Sequence, residues 1–137
     1  MFPLPKKYRS IRRALRIKRS KSGLGLFTDA PIERKGFIIE YTGRIVDAKT
    51  ADTINGKYLF ETNSRRFIDG SSRTNTARYI NHSCKPNCEV DIRRGRVYIF
   101  AKRKIEIGEE LSYDYQQEYF DEHIKPYGCR CATAKHR

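Results

Sequence analysis

Eleven residues constrain this chain more than any others: Arg78-Tyr79-Ile80-Asn81-His82-Ser83-Cys84-Lys85-Pro86-Asn87-Cys88. Asn side chains bond nearby backbone groups and favour turns. Pro86 fixes its own φ and pushes Lys85 away from helix. The segment is therefore expected to be a tight, irregular loop. A loop so rich in donors, acceptors and thiols reads as a site rather than a connector. Around it, short β-branched and aromatic runs recur at residues 36–41, 58–61, 66–69, 89–92 and 96–101. The turn-like Asn63-Ser64 divides the second and third runs, and the last two flank Arg93-Arg94-Gly95 as a hairpin. Leu15 and Ile17 alternate with basic residues in a further strand. Helical signals are few: residues 47–53 with Asp47 as N-cap, residues 116–124, and a stripe of Ile11, Ala14 and Leu15. The pattern is that of a mostly β domain.

A length of 137 residues fits one domain. No apolar run is long enough to span a bilayer, and no membrane partner is expected. Four Cys without an apolar leader point to an intracellular, reducing setting, with free or metal-bound thiols rather than disulfides. The net charge is +13, and every charged residue before Asp29 is basic. Such a block attracts polyanions, so nucleic acid, or a protein sitting on it, is a natural partner. No base-reading motif accompanies the charge, and a solvated arm with nonspecific affinity explains it equally well.

The run Asn81-His82-Ser83-Cys84-Lys85-Pro86-Asn87-Cys88 resembles the signature of the SET-domain protein lysine methyltransferases. Three further motifs follow that family's order: Gly23-Leu24-Gly25-Leu26-Phe27, Glu40-Tyr41-Thr42-Gly43, and Gly108-Glu109-Glu110-Leu111-Ser112-Tyr113-Asp114-Tyr115. The resemblance implies a SET-domain fold: several small curved sheets, few short helices, and a C-terminal segment threaded beneath a loop in a knot-like arrangement. It divides the chain into a basic N-terminal arm (1–14), a catalytic core (15–120) and a post-SET-like tail (121–137).

The resemblance further implies methyl transfer from S-adenosylmethionine to a lysine ε-amine, on a histone or another nucleic-acid-associated protein. The setting would be nuclear in a eukaryote and cytoplasmic otherwise. The amine must be neutral to attack, although a free lysine has a pKa near ~10.4. A narrow apolar channel beside a sulfonium disfavours the ammonium form. By resemblance, Tyr115 is the catalytic tyrosine, and Tyr41, Phe60 and Tyr113 line the lysine channel. Ser22, Gly23, Leu24, Tyr58, Arg78, Asn81 and His82 bind the cofactor. A Tyr at position 113, where the family carries Phe or Tyr, crowds the channel and implies monomethylation, extending to dimethylation. Cys84, Cys129, Cys131 and His136 stand where the family's post-SET tail closes a structural zinc site. His136 replaces the usual Cys, and three Cys with one His is a competent zinc set.

Asn87 is expected to tie the loop together, Cys88 to be a small buried residue, and Glu109, Glu110 and Asp114 to carry no chemistry. A cationic enzyme does not attract a basic tail at long range. The groove is therefore expected to be locally acidic, through Glu61, Asp91, Glu118, Asp121 and Glu122, unless the arm docks on nucleic acid near the substrate. The alternative reading is a catalytically idle, basic nucleic-acid-binding module with a zinc-stapled tail.

Overall fold

The structure, a computed structural model, describes residues 12–21, 23–54, 58–63 and 65–115. The tail, most of the arm, and the helix expected at 116–124 lie outside these residues. Among the described residues there are ten strands: β1 (Leu15–Ser20), β2 (Gly23–Thr28), β3 (Phe37–Tyr41), β4 (Arg44–Asp47), β5 (Leu59–Asn63), β6 (Arg66–Asp69), β7 (Asn81–His82), β8 (Cys88–Arg93), β9 (Arg96–Ala101) and β10 (Ser112–Tyr113). They form four small sheets: β1-β2, β3-β9-β8, β4-β6-β5, and the parallel pair β10-β7. Among the described residues a short helix, α1 (Ala48–Ala51), and a 3-10 turn (Thr76–Tyr79) join them. This is the mostly β, many-sheeted architecture that the sequence implies.

β9 shows why the sheets pack as they do. Val97 through Ala101 are all buried, so this central strand is covered on both faces. Successive strand residues point to opposite faces. Val97, Ile99 and Ala101 accordingly enter the main core with Leu26, Ile38, Ile80, Ile105 and Leu111. Tyr98 and Phe100 face the other way and meet Phe37 edge-on, with ring centroids 6.1 and 5.5 Å apart. The β8–β9 hairpin closes through Arg94 (φ 51°) and Gly95 (φ 77°), the two positive φ angles of a primed two-residue turn.

Asp47 caps α1 as expected, its Oδ1 accepting from the Thr50 N–H at 2.7 Å, although the helix stops at Ala51. Leu15 belongs to β1 rather than to a helical stripe. Ile17 is 48% exposed, because β1 is one edge of a two-stranded ribbon and only its Leu15 end reaches the core.

Residues 105–113 position the site. The segment runs antiparallel beside residues 26–32: Ile32 and Ile105 exchange backbone hydrogen bonds at 2.9 and 2.8 Å, and Leu111 N–H donates to Leu26 O at 2.7 Å. On its other side β10 pairs with β7. The buried Asn87 completes the grip: its Nδ2 donates to Glu110 O at 2.9 Å and its Oδ1 accepts from Ser112 N–H at 2.9 Å. The segment thus passes between β2 and the 81–88 loop.

Candidate active site

The four aromatic residues assigned to catalysis and to the lysine channel come together in one row. Tyr41 leaves β3, Phe60 lies on β5, Tyr113 ends β10, and Tyr115 follows it. Their ring centroids step by 5.2 Å (Tyr41 to Phe60), 6.3 Å (Phe60 to Tyr113) and 4.9 Å (Tyr113 to Tyr115). The first three are buried and Tyr115 is half-buried. Tyr41 is fixed at its hydroxyl, which donates to Tyr58 O at 2.8 Å. Its ring lies directly over Gly70, where a Cβ would sit 2.4 Å from a ring carbon. Asn75, 1% exposed, holds that glycine: Nδ2 donates to Gly70 O at 3.1 Å, and Oδ1 accepts from Thr42 N–H at 3.0 Å.

Tyr115 is tied at both ends. Its N–H donates to His82 Nδ1 at 3.1 Å, and its hydroxyl donates to Ile80 O at 2.6 Å. A phenol has one hydrogen to give and lone pairs to accept with. With the hydrogen spent on Ile80, the oxygen faces other partners as an acceptor.

His82 is buried and works as a strut. Nδ1 accepts from the Tyr115 backbone, so the ring is neutral with its hydrogen on Nε2, which lies 3.3 Å from Cys84 Sγ. Asp114 Oδ1 also approaches Nδ1, at 3.6 Å. The backbone N–H is the nearer group and an obligate donor, so it sets the tautomer. Both ring nitrogens face protein groups.

The residues assigned to the cofactor gather in two groups. In the first, Asn81 Nδ2 donates to Leu24 O at 2.8 Å, to Glu110 Oε2 at 2.9 Å and to Ser20 Oγ at 3.2 Å. Asn81 Oδ1 accepts no hydrogen bond among the described residues. Gly23 opens β2 at φ 113°, a conformation closed to other residues, with open space where a side chain would stand. Ser22 lies outside the described residues. In the second group, the Arg78 guanidinium stacks on Tyr58 at 4.2 Å, faces Tyr79 at 5.3 Å, and donates to Ser71 O at 2.7 Å. Hydrogen bonding to Tyr58 raises the Arg78 pKa still further. Among the described residues its buried Nε has no partner.

Of the four expected zinc ligands only Cys84 is among the described residues; it is half-buried, with His82 Nε2 3.3 Å from its Sγ. Among those residues no cluster of His, Cys, Asp and Glu is placed to hold a metal. Cys88 is buried, and burial pushes its thiol up to about 12. Asp91, offered above as groove acidity, is instead engaged by Arg93 at 2.6 Å. Three contributors escaped the sequence reading. Gly70 and Asn75 look like ordinary turn residues. Glu110 was given no chemistry, yet its carboxylate sits within the Asn81 cluster; a glutamate so close to the motif tyrosines was the available signal.

The SET domain description matches residues 23–116, from the start of β2 to the residue after Tyr115. The chain belongs to the SET-domain family. This SET domain is 42% identical to the histone-lysine N-methyltransferase trr of Drosophila melanogaster over 127 residues, covering 82% of the chain and 5% of that protein. It is 36% identical to the histone-lysine N-methyltransferase set1 of Dictyostelium discoideum over 141 residues, covering 91% of the chain and 9% of that protein. It is 38% identical to the histone-lysine N-methyltransferase ASHH3 of Arabidopsis thaliana over 143 residues, covering 92% and 39%. The SET domain therefore spans a small part of the length of most of these relatives. Among the described residues, no helix is long and apolar enough to cross a membrane.

Proposed function

We propose that this SET domain is a protein lysine N-methyltransferase that uses S-adenosylmethionine and acts on a histone or another nucleic-acid-associated protein. The observation that carries the reading is the aromatic row ending at Tyr115, whose hydroxyl hydrogen is committed to Ile80 O. An apolar row strips water from an entering lysine and so disfavours its charged form. The Tyr115 oxygen, left as an acceptor, takes an N–H of the neutral amine and turns the nitrogen lone pair along the channel. Holding two reactants in line removes several kcal/mol from a barrier.

The cofactor supplies, when bound, a methyl group activated by a sulfonium charge. The residues fit such a group. The start of β2 at Gly23 and Leu24, and the Asn81 Oδ1 that accepts from no described residue, suit its amino-acid part, and Tyr58 and Arg78 offer a stacking face. The Tyr113 hydroxyl narrows the channel and favours mono- and then dimethyl products.

Cys84, Cys129, Cys131 and His136 form a structural zinc site in this reading, pinning the tail near the channel. Metal analysis should find one zinc per chain, lost in Cys84→Ser. The basic arm and the exposed cations of β1 contact nucleic acid near the substrate, in a nuclear setting. Nothing favours the idle module, since Asn81 and Tyr115 stand with the rest of the site.

The test is transfer of labelled methyl to core histones, with mass spectrometry of the product. Label on a lysine as mono- and dimethyl supports the proposal. Absence of label on any histone or whole-cell protein, together with absence of cofactor binding, overturns it.

A further inference from the structure

Glu110 stands apart from the other carboxylates near the site. Its neighbour Glu109 is held by Arg103 at 2.7 Å, as expected in a chain with 29 Lys and Arg against 16 acids. Glu110 has no such cation among the described residues; its Oε2 accepts from Asn81 Nδ2 instead. The main chain at Glu110 is held by Asn87 Nδ2 at its carbonyl and by a bridge to Phe27. The carboxylate occupies a slot that only glycine leaves open: a Cβ on the buried Gly25 would lie 2.3 Å from Oε2 and 2.9 Å from Cδ.

An asparagine amide has nearly the same shape either way round, so its neighbours decide which end is nitrogen. Here Leu24 O and the Glu110 carboxylate can only accept. They draw both amide hydrogens to one side, and the bond to a carboxylate is the stronger kind. Oδ1 is thereby turned to the opposite side, where no described residue donates to it.

We propose that Glu110 is a positioning residue for the cofactor: acting through Asn81, its carboxylate locks the amide so that Oδ1 accepts from the α-ammonium of S-adenosylmethionine. This rests on the use of that cofactor proposed above. The carboxylate, which no cation of the described residues pairs, also places a negative charge beside the ammonium and sulfonium of a ligand whose net charge is positive. Glu110→Gln keeps the shape but supplies an amide that can donate to Oδ1 and let Asn81 turn over. Gly25→Ala touches neither residue chemically but displaces the carboxylate.

Both variants are compared with the parent chain in three measurements: KM and kcat for S-adenosylmethionine with a histone substrate, binding of S-adenosylhomocysteine and of 5′-methylthioadenosine by calorimetry, and the melting temperature without ligand. 5′-Methylthioadenosine lacks the amino-acid part. The expected result in both variants is a KM raised about tenfold, the size of one charge-assisted hydrogen bond, with kcat within about twofold. S-Adenosylhomocysteine affinity falls in parallel while 5′-methylthioadenosine affinity and melting temperature hold. The assignment is overturned if both variants bind S-adenosylhomocysteine as the parent does, or if both nucleosides weaken equally with a lowered melting temperature, which marks a merely structural role. If the parent itself binds neither nucleoside, the cofactor reading has failed and this one with it.

Discussion

Tyr115→Phe separates catalysis from architecture at this site. The substitution removes one oxygen and keeps the ring, so the contacts with Tyr113 at 4.9 Å and His82 at 5.3 Å persist, as does the backbone bond to His82. What is lost in the fold is one hydrogen bond to Ile80 O, worth about 1 kcal/mol net. A domain of this size then melts roughly 3–5 °C lower. It stays folded at 25 °C, because domains are stable by roughly 5–15 kcal/mol. What is lost in the reaction is the acceptor that orients the amine, and misorientation of that kind costs about 100-fold or more in rate. That corresponds to roughly 2.7 kcal/mol, more than the stability loss, so the two effects can be told apart. Single-turnover methyl transfer, a thermal melt and S-adenosylhomocysteine binding should be measured together. A rate within about fivefold of the parent, with the expected small change in melting, would refute the role of the hydroxyl.

Asn87→Ala should cost about 2–4 kcal/mol in urea denaturation, since it strands the Ser112 N–H and the Glu110 carbonyl together. Asn87→Asp keeps the acceptor and should cost roughly half of that. Tyr113→Phe removes a hydroxyl from the channel wall and should shift products toward di- and trimethyl-lysine by mass spectrometry; an unchanged product ratio would show that this hydroxyl does not limit turning. Hydrogen bonding to Arg103 holds the Glu109 carboxyl below its ordinary range. Glu109 therefore ionises more readily folded than unfolded. Its contribution to stability is present above the ordinary glutamate value, ~4.3, and is lost as the pH falls through the lowered folded value. Glu109→Gln should flatten that acid limb of a melting-temperature profile while leaving the rate at neutral pH alone.

The sequence made the strands and the channel legible for different reasons. Hairpins such as β8–β9 declare themselves locally, because Arg94-Gly95 and the flanking β-branched residues act within a few positions of each other. Tyr41, Phe60, Tyr113 and Tyr115 were readable only through motif resemblance, since nothing in their spacing says that three sheets bring them together. Gly70 and Asn75 were unreadable because their work is steric and buried: one clears room for a ring contributed by β3, and the other holds it there. Glu110 was passed over because Glu109 and Glu110 are identical in type and adjacent; only the fold sends one outward to Arg103 and the other inward to Asn81. The alternation of Leu15 and Ile17 with basic residues marked β1 but not its cover, as alternation fixes which residues share a face and not whether anything packs on it.

The partners of the Asn81 side chain lie 61, 57 and 29 positions away along the chain. A site assembled over such distances has no local folding unit that could form it early, and contacts of this range make folding slow. Until residues 105–113 settle between β2 and the loop, Leu26 and Ile80 have lost part of their cover and the emerging chain offers sticky strand edges. During synthesis that interval lasts until the final motif has left the ribosome. A cell making this domain would therefore be expected to shield the nascent chain with a chaperone, and ligand binding and protection of the β2 amides from hydrogen exchange should appear in the same kinetic step.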